Sequence, residues 1–590
     1  MASAGTSRYQ RTGRSALSPI SILLVGLLLL LAFTSVLPLV RLFARAFDGD
    51  ALGWVFQNRQ AVRALVNTLR VSLAVALGAG VLGALLTLLL QQFRVPGRNA
   101  LRLLLLLPLV VPPHILALAW LSWVGPRGLL SRGIAALFGF ERVPWTLYGE
   151  AGMILLLTVF ALPVSFLTIS AAFSRLPVSL DEAAQLEGAG PWQVARHVTL
   201  PLLAPHVLAG MMLAFLAAAG NFGITALLGI PGRFITLPTL IYQRVTNFSS
   251  GGLNQAAAVS LLLVVVALLA MAFQRQTNRR AAQVETQLTP RVLRPLGARG
   301  TWLAAFTWVL AAFGAIGPFL ALLVTSLSRA YGLPLALDSF DFRHFHFVLT
   351  ELESFPRALV NSLLLATGAS VLAAGLATQL GYVLIKLRRG GAVLQFLVDL
   401  PYILPGIVFA LALILAWLPS PIPGIRLYGT IWLLGIAYVG HFLAFALQPI
   451  QAAWRQLDPR LEEAAQLDGA TLLQALRHVL LPILAPTVIV ATLLVFLNAV
   501  SEISLSSLLA GSGTETLGWL IYGLEQAGTG QPAAALSVVL LLVIGGIGGV
   551  GWCVLRFLSH LNRTSRGRTF LRRLSRPPHP PPTCRSSPTR

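Results

Sequence analysis

Apolar runs of about twenty residues, separated by shorter polar segments, recur along the whole of this chain. A helix needs about 20 mostly apolar residues to cross the ~30 Å hydrocarbon core of a bilayer. Windows of that kind fall at roughly 19–41, 65–92, 103–124, 150–172, 203–221 and 256–273. They fall again at roughly 302–327, 359–386, 394–417, 428–449, 484–501 and 533–556. The pattern predicts an all-α, polytopic membrane protein with about twelve transmembrane helices. The composition, 56% hydrophobic and 11% charged, lies far from that of a soluble domain.

The second set of runs copies the first. EAAQLEGAGPWQVARHVTLPLLAP begins at Glu182 and EAAQLDGATLLQALRHVLLPILAP at Glu463, an offset of 281 residues. ALVNTL around Asn67 precedes ALVNSL around Asn361, LPLVVPP precedes LPYILP, and TLPTLIY precedes TLGWLIY. The chain therefore reads as a cytoplasmic segment 1–18, a first repeat 19–273, a cytoplasmic linker 274–301, a second repeat 302–556 and a disordered basic tail 557–590. Six spans per repeat bring both copies in and out on the same side, which sets two parallel bundles about an axis along the membrane normal with a pathway between them.

The net charge of +23 does not point to nucleic acid, because the arginines lie between spans and in the tails and form no compact basic face. They report topology. Arg8, Arg11 and Arg14, then Arg94, Arg98 and Arg102, the linker arginines, and Lys386, Arg388 and Arg389 all fall on one side, cytoplasmic by the positive-inside rule, with both termini. Membrane lipid is thus a partner, and the arginines of the tail are expected to touch anionic headgroups. The first apolar run lacks a small-residue cleavage site and is expected to stay as a span. Two cysteines, Cys553 and Cys584, exclude a disulfide framework and a cysteine metal site.

The repeated polar loop lies between the fourth and fifth spans of each half, on the side assigned as cytoplasmic. Acidic residues open a short helix, Ala183, Ala184 and Ala464, Ala465 propagate it, Gly188 and Gly469 permit a turn into a second helix, and Pro201 and Pro482 stand at the start of the next span. His197 and His478 match across the copies and are expected to shape the loop surface. Glu182, Ala183, Ala184, Gly188, Val198, Leu200 and Pro201, and likewise Glu463, Ala464, Ala465, Gly469, Val479, Leu481 and Pro482, resemble the signature loop of binding-protein-dependent ABC importer permeases, with valine where isoleucine is more usual. The resemblance covers about residues 19–556. It implies a type I importer fold in the bacterial inner membrane, two copies of a cytoplasmic ABC ATPase docked on the two loops, and a periplasmic solute-binding protein.

No phosphate-binding loop is present, since the only lysine, Lys386, is followed by Leu387. The chain is therefore expected to carry no cofactor, to bind no metal of its own, to catalyse no reaction, and to rely on ATP bound by its partners. Asn221 and Glu502, opposite one another across the repeats near the ends of the fifth spans, are candidates for the pathway, and Asn498 shares the second segment. His114 and His441 have no mates in the other half and are expected to be satisfied structural histidines. The segments after the fifth spans are similar to those of the ferric iron group, so ferric iron is the first expectation for the substrate, with thiamine and aminoethylphosphonate as alternatives. An ion-gradient-driven secondary transporter of two six-span repeats is the rival class.

Overall fold

The structure, a computed structural model, describes residues 19–141, 143–247, 251–281, 293–330, 340–387, 390–419 and 421–574. Every extended regular element among them is a helix. The first half comprises α1 (Val25–Ala46) and α2 (Arg59–Gln92), a bent pair α3 (Arg98–Val110) and α4 (Pro113–Val124), then α5 (Leu129–Phe138) and α6 (Glu150–Phe173). It continues through α7 (Val178–Leu186), α8 (Trp192–Ala219), two short helices α9 (Gly223–Gly229) and α10 (Leu237–Thr246), and α11 (Gly252–Ala281).

The second half repeats this order with α12 (Ala298–Leu327), α13 (Ser354–Lys386), the bent pair α14 (Gly391–Ile403) and α15 (Gly406–Trp417), and α16 (Ile431–Gln456). After these come α17 (Arg460–Leu467), α18 (Leu472–Ala499), α19 (Ser506–Leu509), α20 (Leu517–Gln526) and α21 (Gly530–Leu574). Ten described helices are long and apolar enough to span a membrane, and the two bent pairs bring the number to twelve.

Three expectations need correction. The third span of each half is not a straight helix: the chain bends by 113° after Val110 and by 105° after Ile403. Pro112 and Pro405 supply no N–H to a helical ladder, and they hold the preceding residues Val111 and Leu404 extended, at ψ 130° and 134°. Second, Pro201 and Pro482 do not open a span. They lie within the continuous helices α8 and α18, directly after π-helical turns at Ala195–Thr199 and Leu476–Leu480. A wider turn accommodates a ring that would clash with the carbonyl four residues back.

Third, the last helix runs on to Leu574, past the 556 boundary of the expected tail, because no proline interrupts the sequence until Pro577. Residues 575–590, the N-terminal segment 1–18 with its arginines, and Arg291, Arg388 and Arg389 lie outside the described residues.

Within each half the second, fourth and fifth spans pack into one cluster: α2, α6 and α8, and α13, α16 and α18. Lipid tails provide no hydrophobic drive between helices, so close backbone approach matters more than in water. Small residues provide it. A side chain at Gly83 would stand 3.2 Å from the backbone nitrogen of Phe166, and one at Gly210 would stand 2.8 Å from Ser165 Oγ.

The halves are interlocked by their first spans. α1 packs on α15 of the second half, and α12 packs on α3 and α4 of the first. The segment leading into α12 is tied to the loop after α2: Arg94 N–H donates to the Arg294 carbonyl at 3.0 Å, Arg294 N–H to the Gln92 carbonyl at 2.8 Å, and the Trp308 indole to the Pro96 carbonyl at 3.0 Å.

The α2–α6 contact gives a direct test. Gly83→Leu forces α2 away from α6, at a cost of about 1–3 kcal/mol for overpacking. A lower melting temperature of the detergent-solubilised chain is expected, whereas the same change at Gly375, on the exposed face of α13 where a side chain would meet nothing within 4 Å, leaves it unchanged.

Candidate functional site: two matched loops and a broken-helix centre

The loops α7–α8 and α17–α18 share one local design. α7 ends on Gly188 at φ +85° and α17 on Gly469 at φ +84°, a left-handed conformation that costs a non-glycine residue roughly 1–2 kcal/mol. The chain reverses there through paired bonds. Ala189 N–H donates to the Ala184 carbonyl and Ala470 N–H to the Ala465 carbonyl, both at 3.0 Å, while Gly188 and Gly469 bond back to Gln185 and Gln466.

The next helix begins with a matched cap, in which Gln193 accepts from Gly190 N–H and Gln474 from Thr471 N–H, each at 2.8 Å. His197 and His478 hold their Nδ1 atoms 3.1 Å from the carbonyls of Gln193 and Gln474. Both histidines are exposed.

This backbone presents Glu182, Ala183, Glu463 and Ala464 to solvent and tucks Ala184 and Ala465 half inside, while Pro201 and Pro482 remain exposed further along. It also displays apolar side chains to which sequence reading had assigned no contact role. Leu186 is 89% and Trp192 71% exposed in the first loop, and their repeat mates Leu467 and Leu473 are 88% and 74% exposed in the second. Water-exposed apolar pairs of this size, on helices otherwise acidic and polar, mark a contact surface. A groove of about 460 Å³ beside Leu186, lined by Ala184, Glu187, Gly188 and His197, completes the surface of the first loop. The signal in the sequence was the pair of leucines immediately before the Glu-Gly and Asp-Gly turns.

At the other end of α8 and α18 the helices break. Asn221 Oδ1 accepts from Ile224 N–H at 2.9 Å, and the Glu502 carboxylate accepts from Leu505 N–H at 2.9 and 3.0 Å and from Ser506 N–H at 3.2 Å. Each of these candidate pathway residues therefore caps the short helix that follows it, α9 or α19. Asn498 is not brought to them: it is exposed and donates to the Leu494 carbonyl of its own helix at 2.8 Å.

These breaks face the bends of the third spans. Gly223 lies against His114, Gly406 against Ser504 and the Glu502 carboxylate, and Gly220 of the first half against Pro405 of the second. His441 is satisfied by the Pro401 carbonyl at 3.0 Å, as expected. His114 is not: it is fully buried, and neither ring nitrogen has a hydrogen-bond partner among the described residues.

The short helices α10 and α20 are held by the repeated polar pair of the second spans. Asn67 donates to the Ile235 carbonyl at 2.9 Å and Thr68 Oγ1 accepts from Leu237 N–H at 2.8 Å. Asn361 donates to the Glu515 carbonyl at 3.0 Å and Ser362 Oγ accepts from Leu517 N–H at 2.8 Å. So held, the two helices bring Tyr242 and Tyr522, the last residues of the repeated TLPTLIY and TLGWLIY segments, to 6.1 Å between ring centroids, edge to face across the junction of the halves. Phe222 packs on both, at 5.1 and 5.9 Å. No group of three or more His, Cys, Asp or Glu side chains among the described residues could hold a metal ion.

The model of the family described as binding-protein-dependent transport system inner membrane component matches this chain twice, over residues 76–283 and 355–551. The chain belongs to this family. It is an ABC importer permease subunit, a multi-pass protein of the inner membrane in a family that works with an ATPase and a periplasmic binding protein, and the secondary-transporter reading is set aside.

A probable ABC transporter permease of Sinorhizobium fredii is 30% identical, covering 84% of this chain and 87% of its own. An Fe(3+)-transport system permease of Haemophilus influenzae is 26% identical over 88% of this chain and 95% of its own. The molybdenum transport system permease of Escherichia coli is 30% identical but aligns with only 37% of this chain, the length of a single half. This permease therefore carries two copies of the family unit in one polypeptide.

The tyrosine contact can be tested in the permease. Placing cysteines at Tyr242 and Tyr522, with Cys553 and Cys584 replaced by serine, and bridging them with a short bifunctional thiol reagent is expected to stop solute uptake and to leave uptake intact in either single-cysteine protein.

Proposed function

We propose that this permease imports ferric iron, with α7 and α17 each docked on one subunit of a cytoplasmic ATPase pair and a periplasmic binding protein delivering solute to the opposite face. The observation that carries the docking reading is the matched display of Leu186 with Trp192 and Leu467 with Leu473 on two loops of one shape. Two equivalent surfaces suit two equivalent partners, and a rigid helix pair continuous with α8 or α18 moves as a body when pushed. The positive-inside distribution supports placing these loops, and both termini, in the cytoplasm. ATP closes the ATPase pair, the loops follow, and the halves reorient around their shared centre so that the solute site opens first outward and then inward.

Two observations favour ferric iron. The permeases described as ferric or Fe(3+) transporters align with this chain over both halves. The polar side chains at the junction and at the breaks beside it carry oxygen: Tyr242 and Tyr522 meet across the halves, Asn221 lies at the break of the first half, and Ser504 and Glu502 lie at the break of the second. Hard trivalent iron suits oxygen ligands, whereas a molybdate, sulfate or phosphonate anion calls for cationic side chains.

Glutamate in place of both Leu186 and Leu467 puts charge into a contact centre. With about 2 kcal/mol per anchoring side chain, retention of the ATPase on the tagged permease is expected to fall at least tenfold while insertion is unchanged. Equal retention by the variant and wild type would remove the docking reading. Substrate is tested by uptake into cells expressing the permease with its ATPase and binding protein: radiolabelled ferric citrate is expected to accumulate, and molybdate, thiamine and aminoethylphosphonate are not.

A further inference from the structure

His114 stands where the two halves are alike in backbone and unlike in chemistry. The motifs LPLVVPP and LPYILP set Pro112 opposite Pro405, and so His114 opposite Ile407. Each is the second residue of the helix that follows a bend, α4 or α15, and each is fully buried. The second half therefore completes the same bend with an aliphatic side chain that needs no hydrogen bond. Shape and burial alone do not call for an imidazole at this place.

The imidazole is unfavourable there. Its Nδ1 and Nε2 are both buried without a hydrogen-bond partner among the described residues, and no other described side chain is left with two such atoms. In either neutral tautomer the ring has one N–H to donate and one nitrogen to accept with. Burying both unmet costs free energy that an apolar side chain of similar size avoids. A group of this kind is accounted for when another state of the protein meets its needs.

The residues that cover His114 connect it to the junction of the halves. A side chain at Gly223 would stand 3.3 Å from the His114 backbone nitrogen and 3.4 Å from its Cβ, so the start of α9 lies directly on it. The preceding residue, Phe222, packs on Tyr522 of the other half at 5.9 Å. Asn221, one residue earlier, caps the same turn through Ile224 N–H. Three consecutive residues thus cap α9, touch the opposite half and close on His114.

We propose that His114 is a pathway residue of the first half, covered by the Asn221–Gly223 turn while the centre is closed and brought into contact with the water of the route when the halves part. Both ring nitrogens are then met, so the imidazole favours the open centre over the closed one, a bias that Ile407 does not give the second half. This rests on the alternating-access reading above for the parting of the halves, whereas the penalty of burying His114 belongs to the permease alone.

Two measurements test it. His114→Ile, which installs the second half's own residue, is expected to raise the melting temperature of the purified permease and to lower uptake of radiolabelled ferric citrate by about fivefold or more, as loss of a state-dependent contact does. His114→Gln still offers a donor and an acceptor and is expected to keep most of the uptake. The second measurement uses the purified complex with its ATPase and binding protein, with Cys553 and Cys584 replaced by serine. A charged, water-soluble thiol reagent is expected to leave His114→Cys unmodified at rest and to modify it during ATP hydrolysis, while Leu156→Cys, fully buried in α6, stays unmodified in both.

A lower melting temperature of His114→Ile, or its failure to fold, would make the imidazole structural and overturn the proposal. So would unchanged uptake by that variant, or a cysteine at position 114 labelled equally with and without ATP. Absence of ferric citrate uptake by wild type would count against the ferric reading, and the melting and labelling comparisons would still decide on His114. Failure of the ATPase to bind wild type would count against the docking reading and leave the decision to the melting comparison.

Discussion

Backbone amides that leave a helix at membrane depth have no water to turn to and must be satisfied by the protein itself. This chain leaves its helices four times in corresponding places, at the bends of the third spans and beyond the fifth spans, and its central architecture follows from how those amides are met. Asn221 and Glu502 cap α9 and α19. Thr68 and Ser362 receive the first amides of α10 and α20, and Asn67 and Asn361 reach the carbonyls just before them. These bonds tie the short helices α10 and α20 to the second spans, and Tyr242 and Tyr522 are held at the junction of the halves. Most of the few polar side chains at the breaks are thus engaged by backbone, which explains how a largely apolar chain can tolerate irregular structure at its centre.

The spans, their number and their duplication were legible in the sequence because each rests on a period or a length that survives averaging over many residues. The loops were legible for another reason: two copies of one polar pattern in an apolar chain stand out, and Gly188 and Gly469 report a left-handed turn that few other residues accept. The bends of the third spans were less readable, since Pro112 and Pro405 show that the ladder breaks but not by what angle. The straddling of α8 and α18 across Pro201 and Pro482 was missed, because a π-helical turn leaves no mark in hydropathy. The role of Asn67 and Asn361 was missed as well. Their partners are carbonyls some 150 residues away or more, and only the recurrence of the polar pair within a long apolar span hinted at a function.

Glu502 shows how a buried carboxylate can serve the backbone at a break in the helices. Accepting from three amide contacts, it stabilises the turn into α19, and it lies beside Gly406 and Ser504, where the two breaks of the second half meet. Asn221 performs the capping role without charge in the first half. The pseudo-symmetry of the backbone at the centre is therefore stricter than that of the side-chain chemistry.

The crossing of the first spans bears on how the protein is made. α1 leaves the ribosome before the other described helices, yet one of its packing surfaces, α15, belongs to a segment translated several hundred residues later. The first half therefore enters the membrane with one helix still lacking a protein neighbour on that face, and α12 must reach back to α3 and α4. Joining both halves in one chain keeps that late docking intramolecular, at an effective concentration that two separately inserted subunits would have to reach by diffusion in the bilayer.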